Sequence, residues 1–273
     1  MHLLFDIGGT NTRIAVSDGG TELGESKTVS TSQDFAEGMR MLQTIAEELA
    51  AGEKISAIAG GVAGTFDKKY TVLTHAPHLS GWVDKPLKKE LENLFSVPVY
   101  LENDAALAGL GEATMGAGRG YNIIAYVTVS TGVGGVRVVD GMIDRHAIGF
   151  EIGHQIINYD GEQKTLEEYV SGSGLLKRFG VPSSELMDSN VWEETAEILS
   201  VGVHNTILHW SPDVLVLGGP VVLQSHFPFE KFTEFLDQAV REVLSTAPEV
   251  KKAELGDKSA LYGAQVYVNS KIM

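Results

Sequence analysis

Apolar and polar residues alternate in a way that predicts two β-hairpins of similar design, one at the start of the chain and one near its middle. In each hairpin an apolar strand leads into a glycine-containing turn, a second strand follows, and an Asp-Gly pair makes the next turn. The successive segments are residues 3–5, 6–12, 13–17 and 18–20 in the first hairpin and residues 122–129, 130–135, 136–139 and 140–141 in the second. A third strand is expected over residues 21–29. The shared plan predicts two related lobes that each contribute one such hairpin.

The rest of the chain contains segments with helical or strand-like patterns. Residues 32–51 bring the apolar side chains of Phe35, Met39, Leu42 and Leu49 to one face, as expected of an amphipathic helix. Further helices are predicted to start near residues 105 and 165 and to span residues 191–210, 229–244 and 259–268. Strands are predicted over residues 55–59, 97–101 and 213–220, and loops over residues 60–67 and 74–82.

Polar side chains follow the strand predicted over residues 97–101. Glu102, Asn103 and Asp104 stand at its end, and the helical pattern begins immediately afterwards, near Ala105. Ligands of open α/β sheets bind at the carboxyl ends of strands, where the sheet fixes the backbone of polar residues. A carboxylate held there can accept a proton from a substrate hydroxyl. The alternative interpretation is that Asn103 or Asp104 only caps the helix.

The turn of the first hairpin combines a carboxylate, two glycines and a hydroxyl. Asp6 ends an apolar strand, where burial of a charge is costly unless the charge has a partner or a role. Gly8 and Gly9 let the backbone approach a ligand, and Thr10 offers a hydroxyl beside them. A plain hairpin turn is the alternative, since two glycines suffice for one. Neither a Walker pattern nor a Rossmann-type glycine fingerprint occurs, so a dinucleotide cofactor is not expected.

Two later loops are further candidates. Glu151 and His154 are flanked by glycines, and such a pair serves either as a structural hydrogen-bonding group or as part of a functional loop. The strand predicted over residues 213–220 ends in Gly218 and Gly219, which allow a flat ring or a phosphate to lie against the backbone.

Composition narrows the class of protein. The 273 residues are 43% hydrophobic and 21% charged, as in ordinary globular proteins. No run of about 18 apolar residues and no basic leader occurs, so we expect a cytoplasmic protein without membrane association. The absence of cysteine excludes disulfides and thiolate metal sites. A net charge of −15 argues against nucleic-acid binding, although backbone N–H groups and Mg²⁺ can still hold a nucleotide.

Six segments together resemble the ROK family of sugar kinases in their order along the chain. They are Asp6-Ile-Gly-Gly-Thr10, Leu101-Glu-Asn-Asp104, Ser130-Thr-Gly-Val-Gly-Gly135, Glu151-Ile-Gly-His154, Leu217-Gly-Gly219 and Leu261-Tyr-Gly-Ala264. The resemblance implies the two-lobed α/β actin-like ATPase (ribonuclease H-like) fold, with the active site in the cleft between the lobes. We expect a small N-terminal lobe over residues 1–104, a larger lobe over residues 105–258, and a C-terminal helix over residues 259–273 that packs on the first lobe.

The resemblance also implies roles for individual residues. Asp104 resembles the general base that takes the proton from the attacking sugar hydroxyl, and Asp6 resembles the carboxylate that positions Mg²⁺ through water. The residues similar to the family's sugar contacts are Gly64, His78, Asn103, Asp104, Glu151, His154 and Glu167. Those similar to its ATP contacts are Asp6, Gly8, Gly9, Thr10, Asn11, Thr131, Gly132, Gly218 and Gly219.

Two departures from the family pattern stand out. Many members carry a Cys-x-Cys-Gly-x-x-Gly-Cys segment after the His, and there the His and three Cys bind zinc. Here the connection from Gln155 to Thr165 is shorter and has no cysteine, and Thr165 stands where the last Cys would be. We therefore expect no zinc site, so that some other group must orient His154. His78 replaces an Asn that is frequent in the family's sugar loop, which leaves the identity of the sugar open.

The sequence thus predicts a homodimeric, ATP- and Mg²⁺-dependent, glucokinase-like kinase that phosphorylates the 6-hydroxyl of a hexose. N-acetylmannosamine, N-acetylglucosamine, fructose or a β-glucoside is the alternative substrate. A sugar-responsive transcriptional repressor is the alternative of a different class, because the same family contains such proteins. Repressors have a helix-turn-helix domain ahead of the first glycine segment, whereas five residues precede Asp6 here. A non-catalytic sugar-binding protein is a third possibility. The presence of both Asp6 and Asp104 argues against it.

Overall fold

The computed structural model describes residues 1–159 and 161–272, which form two compact units. The units comprise Met1–Met115, Arg145–Gly149 and Asp257–Met273 in the first, and Gly116–Asp144 and Phe150–Gly256 in the second. Residue 273, the last of the predicted C-terminal segment, lies outside the described residues. The division at Met115 differs from the predicted boundary at residue 104 by one helix, which packs within the first unit against the C-terminal helix.

Five strands of the first unit form one sheet in the order β3-β2-β1-β4-β7. Pairing is antiparallel among β1, β2 and β3 and parallel among β1, β4 and β7. A separate pair, β5 and β6, forms a short antiparallel hairpin. The elements are β1 (His2–Ile7), β2 (Asn11–Ser17), β3 (Ser26–Ser30), α1 (Phe35–Ala50), β4 (Ala57–Val62), β5 (Thr65–Phe66), β6 (Leu73–His75), α2 (Leu87–Phe95), β7 (Val99–Asn103) and α3 (Asp104–Thr114).

The second unit repeats this plan. Its sheet has the order β10-β9-β8-β13-β14, with the same pattern of antiparallel and parallel pairs. The two predicted hairpins therefore occupy equivalent places in two sheets of one topology. The elements are β8 (Ile123–Val129), β9 (Val133–Val139), β10 (Met142–Ile143), β11 (Ile156–Tyr159), β12 (Glu162–Thr165), α4 (Leu166–Val170), α5 (Gly172–Phe179), α6 (Ser189–Trp210), β13 (Val214–Gly218), α7 (Pro220–Leu223), α8 (Phe229–Arg241) and β14 (Glu249–Lys252), followed in the first unit by α9 (Ser259–Ile272).

Apolar faces hold each unit together. The predicted face of α1 is buried against β1 and β2, and Asp34 caps the helix by accepting the Glu37 N–H at 2.8 Å. The helix therefore begins three residues later than the predicted start at residue 32. In the second unit, α6 and α8 cover the sheet with their buried faces. In the described part of the chain, none of the helices combines the length and the hydropathy of a membrane-spanning segment.

The helix α9 packs on α3 with almost no side chain between the two backbones. A Cβ atom on Gly263 would overlap the carbonyl oxygen of Leu107, so only glycine permits this approach. The helix also contacts β1 and β4. The first unit thus consists of chain segments from both ends of the sequence.

The prediction of a loop over residues 60–67 is wrong at two places, because β4 continues to Val62 and Thr65–Phe66 form β5. A Cβ on Gly60 would overlap the Phe5 ring, and a Cβ on Gly61 would lie 2.9 Å from the Asp104 Cα. These glycines serve close approach within a sheet rather than a turn. The third strand also differs, since β3 begins only at Ser26. The preceding Gly24 N–H bonds the Val16 carbonyl at 2.8 Å without a regular strand.

One carboxyl side chain, that of Glu102, is buried at the end of β7 with 5% exposure. It accepts the Asn103 N–H at 2.9 Å, and the Tyr70 hydroxyl lies within hydrogen-bonding reach. Burial raises the pKa of Glu102 to about 7, against the opposing effect of these two hydrogen bonds. The acid therefore takes up a proton on folding near neutral pH.

We predict that Glu102→Gln changes how stability depends on pH. In the wild type, the folded pKa of about 7 exceeds the ordinary value of 4.5, so the folded state binds more protons between these pH values and its unfolding free energy falls as pH rises. Replacing the acid by the amide removes this loss. Relative to wild type, the variant should gain about 2 to 3 kcal/mol between pH 4.5 and pH 8.

Urea unfolding of both proteins across this pH range measures the difference. The exposed Glu53→Gln is the control and should follow the wild-type profile. Parallel profiles for Glu102→Gln and wild type would contradict the prediction.

Candidate functional site

The turn between β1 and β2 holds the predicted ATP contacts of the first unit. Gly8 donates its N–H to the Asn11 carbonyl at 2.9 Å, which closes the turn. Thr31, the residue after β3, fixes the turn, because its hydroxyl donates to the Gly8 carbonyl at 2.8 Å and its N–H donates to the Thr10 carbonyl at 2.9 Å. The side chains of Thr10 and Asn11 are exposed. Gly8, Gly9, Thr10 and Asn11 are therefore presented together on a rigid hairpin end.

His78, a predicted sugar contact, packs directly on this turn. A Cβ on Gly9 would lie 2.5 Å from the His78 Cβ. The Gln33 amide joins the two segments by donating to the carbonyls of Gly9 at 3.3 Å and His78 at 3.1 Å. Glycine at position 9 is thus required by the protein itself.

Asp6 is 8% exposed at the end of β1 and is paired with Arg13 of β2 at 3.2 Å. The other end of the Arg13 guanidinium lies 3.3 Å from Asp257. The pKa of Asp6 is raised to about 7 by burial and by the negative charge of Asp104, against the opposing effect of Arg13. The structure therefore brings the two predicted carboxylates close enough to interact. Sequence reasoning missed Arg13 because its position in an alternating strand resembles that of any polar residue.

The two interpretations of Asn103 and Asp104, helix capping and proton acceptance, apply to different residues. Asn103 caps α3, since its Oδ1 accepts the Ala106 N–H at 3.0 Å, while its Nδ2 donates to the Gly64 carbonyl at 3.1 Å. Asp104 is the first residue of the helix, and its Oδ1 accepts the N–H of Ala105 at 2.9 Å. Capping thus accounts for Asn103, and the carboxylate of Asp104 stands at the strand end in the first turn of α3.

Residues 130–132 of the second unit form the matching turn between β8 and β9. The Ser130 N–H bonds the Gly132 carbonyl at 2.8 Å. The start of α5 fastens the turn, because Gly172 donates to the Ser130 carbonyl at 2.7 Å and Ser173 to the Thr131 carbonyl at 3.1 Å. The Thr131 side chain is exposed, and with Gly132 it represents the predicted phosphate contacts.

Glu167, predicted to contact the sugar, is bonded to this same turn. Its Oε2 accepts the Val133 N–H at 2.8 Å, and a Cβ on Gly132 would lie 2.5 Å from that oxygen. The motif comparison gave no signal of this bond, because residues 133 and 167 are far apart in the sequence.

The Glu151–His154 segment packs on the hairpin from another side. Ile152–His154 form a single 3₁₀ turn, and a Cβ on Gly153 would overlap the Val133 carbonyl oxygen. The side chains of Glu151 and His154 are about half exposed and pair with each other at 3.3 Å between Oε2 and Nδ1. Both predicted sugar-contacting segments of the second unit therefore adjoin Val133.

Gly218 and Gly219 lie at the end of β13, next to the same hairpin. Gly219 has a φ of 93°, and a Cβ added to it would lie 2.7 Å from the Thr128 Oγ1. Both the backbone conformation and the lack of space therefore exclude a larger residue. The predicted adenosine-contacting residues thus adjoin the end of β8, just before the phosphate turn.

The residues after His154 do not form a zinc-binding set. Thiolates are lacking because the sequence has no cysteine. In residues 1–159 and 161–272, His, Asp and Glu side chains do not gather in groups of three or more that could hold a metal ion. Thr165, which stands where the family's last cysteine would be, is the N-cap of α4 and forms a capping box with Glu168.

Comparison with known proteins gives relatives along the whole chain. The model of the ROK family matches residues 3–271. A ROK hexokinase from Thermus thermophilus is 30% identical, with a TM-score of 0.83 and coverage of 99% of both chains. A ROK family glucokinase from Streptomyces griseus in complex with glucose and AMPPNP is 23% identical, with a TM-score of 0.81 and coverage of 96% of this chain and 98% of that one. A xylose repressor from Caldicellulosiruptor bescii is 26% identical over 80% of this chain and 64% of its own length.

The predicted fold class is confirmed, since the similar ROK kinase structures have the actin-like ATPase fold. The chain is similar to sugar kinases of the family along nearly its full length, and to repressors over a smaller share of theirs. With the family model spanning all but the first two and last two residues, this protein belongs to the ROK family.

Proposed function

We propose that this protein is an ATP-dependent sugar kinase that transfers the γ-phosphate to the 6-hydroxyl of a hexose, with glucose as the first choice. The observation that carries the proposal is the pair of carboxylates Asp6 and Asp104, which interact at strand ends of the first unit beside the Gly8–Asn11 turn. A kinase needs one carboxylate near the nucleophile and one near the metal-bound phosphates. A sugar sensor needs neither a general base nor a group that holds metal-bound phosphates.

Asp104 acts as the general base in this proposal. Its carboxylate is fixed by the first turn of α3 and by the bond to its neighbouring N–H, so it can accept the proton of the attacking hydroxyl without rearrangement. Phosphoryl transfer requires mainly positioning and charge neutralisation, and one base is sufficient to orient the nucleophile.

Asp6 fits the role of orienting Mg²⁺ through water. The pKa of Asp6 is raised to about 7 by burial and by Asp104 despite its pairing with Arg13, so its negative charge is only partly compensated, and hard divalent cations prefer carboxylate and water oxygens. Bound with ATP, Mg²⁺ neutralises charge on the phosphates. Arg13 holds the Asp6 side chain in one orientation, as its guanidinium is itself fixed by Asp257.

The two glycine turns supply the phosphate contacts. Thr10 and Thr131 offer exposed hydroxyls, and the turns that carry them are each fixed by hydrogen bonds from a neighbouring element. Gly218 and Gly219 leave room for the adenosine beside β8. The ROK glucokinase crystallised with AMPPNP supports an adenine nucleotide as the phosphate donor.

Sugar recognition is assigned to exposed or half-buried polar groups on fixed backbone. His154 and Glu151 form one pair and Glu167 lies beside them on the hairpin turn, whereas Asn103 and His78 belong to the first unit. Gly64 contributes through its backbone, since its carbonyl holds the Asn103 amide. The sugar itself depends on single hydrogen bonds, so N-acetylmannosamine, N-acetylglucosamine, fructose and β-glucosides remain the alternatives to glucose.

The test is an assay of ADP release with Mg²⁺-ATP across a panel of hexoses, N-acetylhexosamines and β-glucosides. We expect turnover on one or a few sugars and a phosphorylated product whose position is read by NMR. Sugar binding by calorimetry without any ADP release would favour a sugar-responsive regulator of the repressor type.

Asp104→Asn should lower kcat by a factor of about 10² or more, because the amide cannot take the proton. The fold should persist, since Asn can still accept the Ala105 N–H. Asp140→Asn, an exposed turn residue of the second unit, is the matched control and should retain full activity. Activity of Asp104→Asn near the wild-type level would refute the assignment of the base.

Glu167→Gln should weaken binding of both substrates. The carboxylate accepts the Val133 N–H as a charge-assisted bond; the amide keeps an acceptor but loses the charge, which costs about 1 kcal/mol, or roughly fivefold in affinity. We therefore expect the Kd of AMPPNP and the KM of the sugar to rise together.

His154→Ala should raise the sugar KM alone, because His154 pairs with Glu151 rather than with the turn of residues 130–132. Calorimetry and steady-state kinetics separate the two, and an unchanged AMPPNP Kd in Glu167→Gln would contradict the expectation.

A further inference from the structure

The side chain of Gln155 uses its whole amide to hold the turn that carries Glu151 and His154. Its Nε2 donates to the Ile152 carbonyl at 2.9 Å and to the Gly202 carbonyl at 3.2 Å. Its Oε1 accepts the Asn205 Nδ2 at 3.1 Å. Both N–H groups and the oxygen are therefore engaged, and they join the turn to α6 at two points.

The backbone of Gln155 extends this connection to the next recognition segment. Its carbonyl accepts the N–H of Leu166 at 2.9 Å, one residue before Glu167. Leu166 in turn packs on α6 so closely that a Cβ on Gly202 would overlap its side chain. Between these two points the chain forms the β11–β12 hairpin, in which Ile156 pairs with Thr165. One glutamine thus lies at the junction of the turn, α4 and α6.

The groups around this junction are unsuited to a metal. His154 directs its Nδ1 towards the Glu151 carboxylate, and Thr165 has its hydroxyl committed to the Glu168 N–H at 3.2 Å. No thiolate exists to complete a site. The orientation of His154 must come from hydrogen bonds of the protein.

We propose that Gln155 and Asn205 form an amide clamp, together with the carbonyl groups of Ile152 and Gly202, which positions Glu151 and His154 for the sugar. The positioning role rests on the function proposed above, whereas the clamp as a structural device rests on its own hydrogen bonds. Gln155 and Asn205 are positioning residues, since the clamp bonds of their side chains are made to the turn, to α6 and to each other.

The clamp accounts for how half-exposed side chains can keep one geometry. The Glu151 and His154 side chains pair with each other, and the same turn carries both, so their placement follows the backbone of the turn. That backbone rests on Val133 at Gly153 and on the clamp at Ile152. Without the clamp, the segment keeps its contact with the hairpin and the Phe150–Trp210 ring contact but loses the hydrogen bonds that join Gln155 to α6.

The experiment compares Gln155→Met, Asn205→Leu and the double variant with wild type. Gln163→Met is the matched control, because Gln163 is an exposed glutamine on β12 of the same hairpin. Amide hydrogen exchange over residues 150–156 measures how firmly the turn is held and does not depend on enzymatic activity. The sugar KM and the AMPPNP Kd measure the effect of the clamp on substrate binding, and thermal melting checks that each variant is folded.

We expect Gln155→Met to accelerate exchange across the turn and to raise the sugar KM at least fivefold, while the AMPPNP Kd stays within twofold of wild type. Asn205→Leu, which removes one bond of three, should give a smaller change of the same kind. Because both substitutions break the same Gln155–Asn205 bond, the double variant should fall short of the product of the single effects. Gln163→Met should match wild type throughout.

Three results would overturn the inference. Exchange at wild-type rates in Gln155→Met would show that the clamp does not hold the turn, whatever the activity. Faster exchange with an unchanged sugar KM would show that the clamp has no role in sugar recognition. Equal effects on the sugar KM and the AMPPNP Kd would point to general loosening of the second unit.

A wild-type protein inactive on every sugar would instead refute the proposed function, and the exchange data would still decide whether the clamp exists. If Gln155→Met failed to fold, Asn205→Leu would carry the same comparison.

Discussion

The approach of the Asp104 backbone to Gly61 sets the geometry of the first unit. A Cβ on Gly61 would lie 2.9 Å from the Asp104 Cα, so α3 can begin directly beside β4 only because glycine is there. The register of the sheet sets Asp6 opposite Gly61 and Gly61 opposite Glu102, in one row across three strands. Gly61 is thus paired with Asp6 in the sheet and also lies against the Asp104 backbone, so this one glycine brings the two carboxylates of the proposed site into range of each other. Burial first, and the negative charge of Asp104 second, raise the pKa of Asp6 to about 7.

The second unit reaches its arrangement by hydrogen bonds rather than by close backbone packing alone. The hairpin end before Val133 receives N–H groups from the start of α5 and gives one to Glu167. One carboxylate oxygen thus joins the predicted phosphate turn to the predicted sugar site. In the proposed kinase, a sugar bound to Glu167 would compete with the Val133 N–H for the negative charge of Glu167, and by reciprocity a phosphate bound at the turn would change the affinity for the sugar. Coupling of this kind suits a kinase, in which ATP hydrolysis without a sugar is wasteful.

The sequence predicted those features that depend on local pattern and missed those that depend on distant contacts. Both hairpins, the buried face of α1 and the long helix α6 were predicted from periodicity, and the fold class followed from six ordered segments. Gly60 and Gly61 were misread as a loop, because glycine looks alike in a turn and in a crowded strand. Arg13 and Gln155 gave no signal, since a lone polar residue reveals its partner only when the fold brings residues such as Asp257 or Asn205 beside it.

The amide clamp raises the question of how hydrogen bonds can stand in for a metal. A structural zinc in small domains contributes about 10 to 16 kcal/mol, whereas a neutral hydrogen bond contributes about 1 kcal/mol. Three amide bonds alone are therefore far too weak to order a long cysteine-rich loop. In this protein the connection is shorter and contains the β11–β12 hairpin. It leads into the Thr165 capping box and the buried Leu166. Less chain entropy then has to be overcome, and the clamp needs only to orient a turn that the hairpin, α4 and Val133 already enclose.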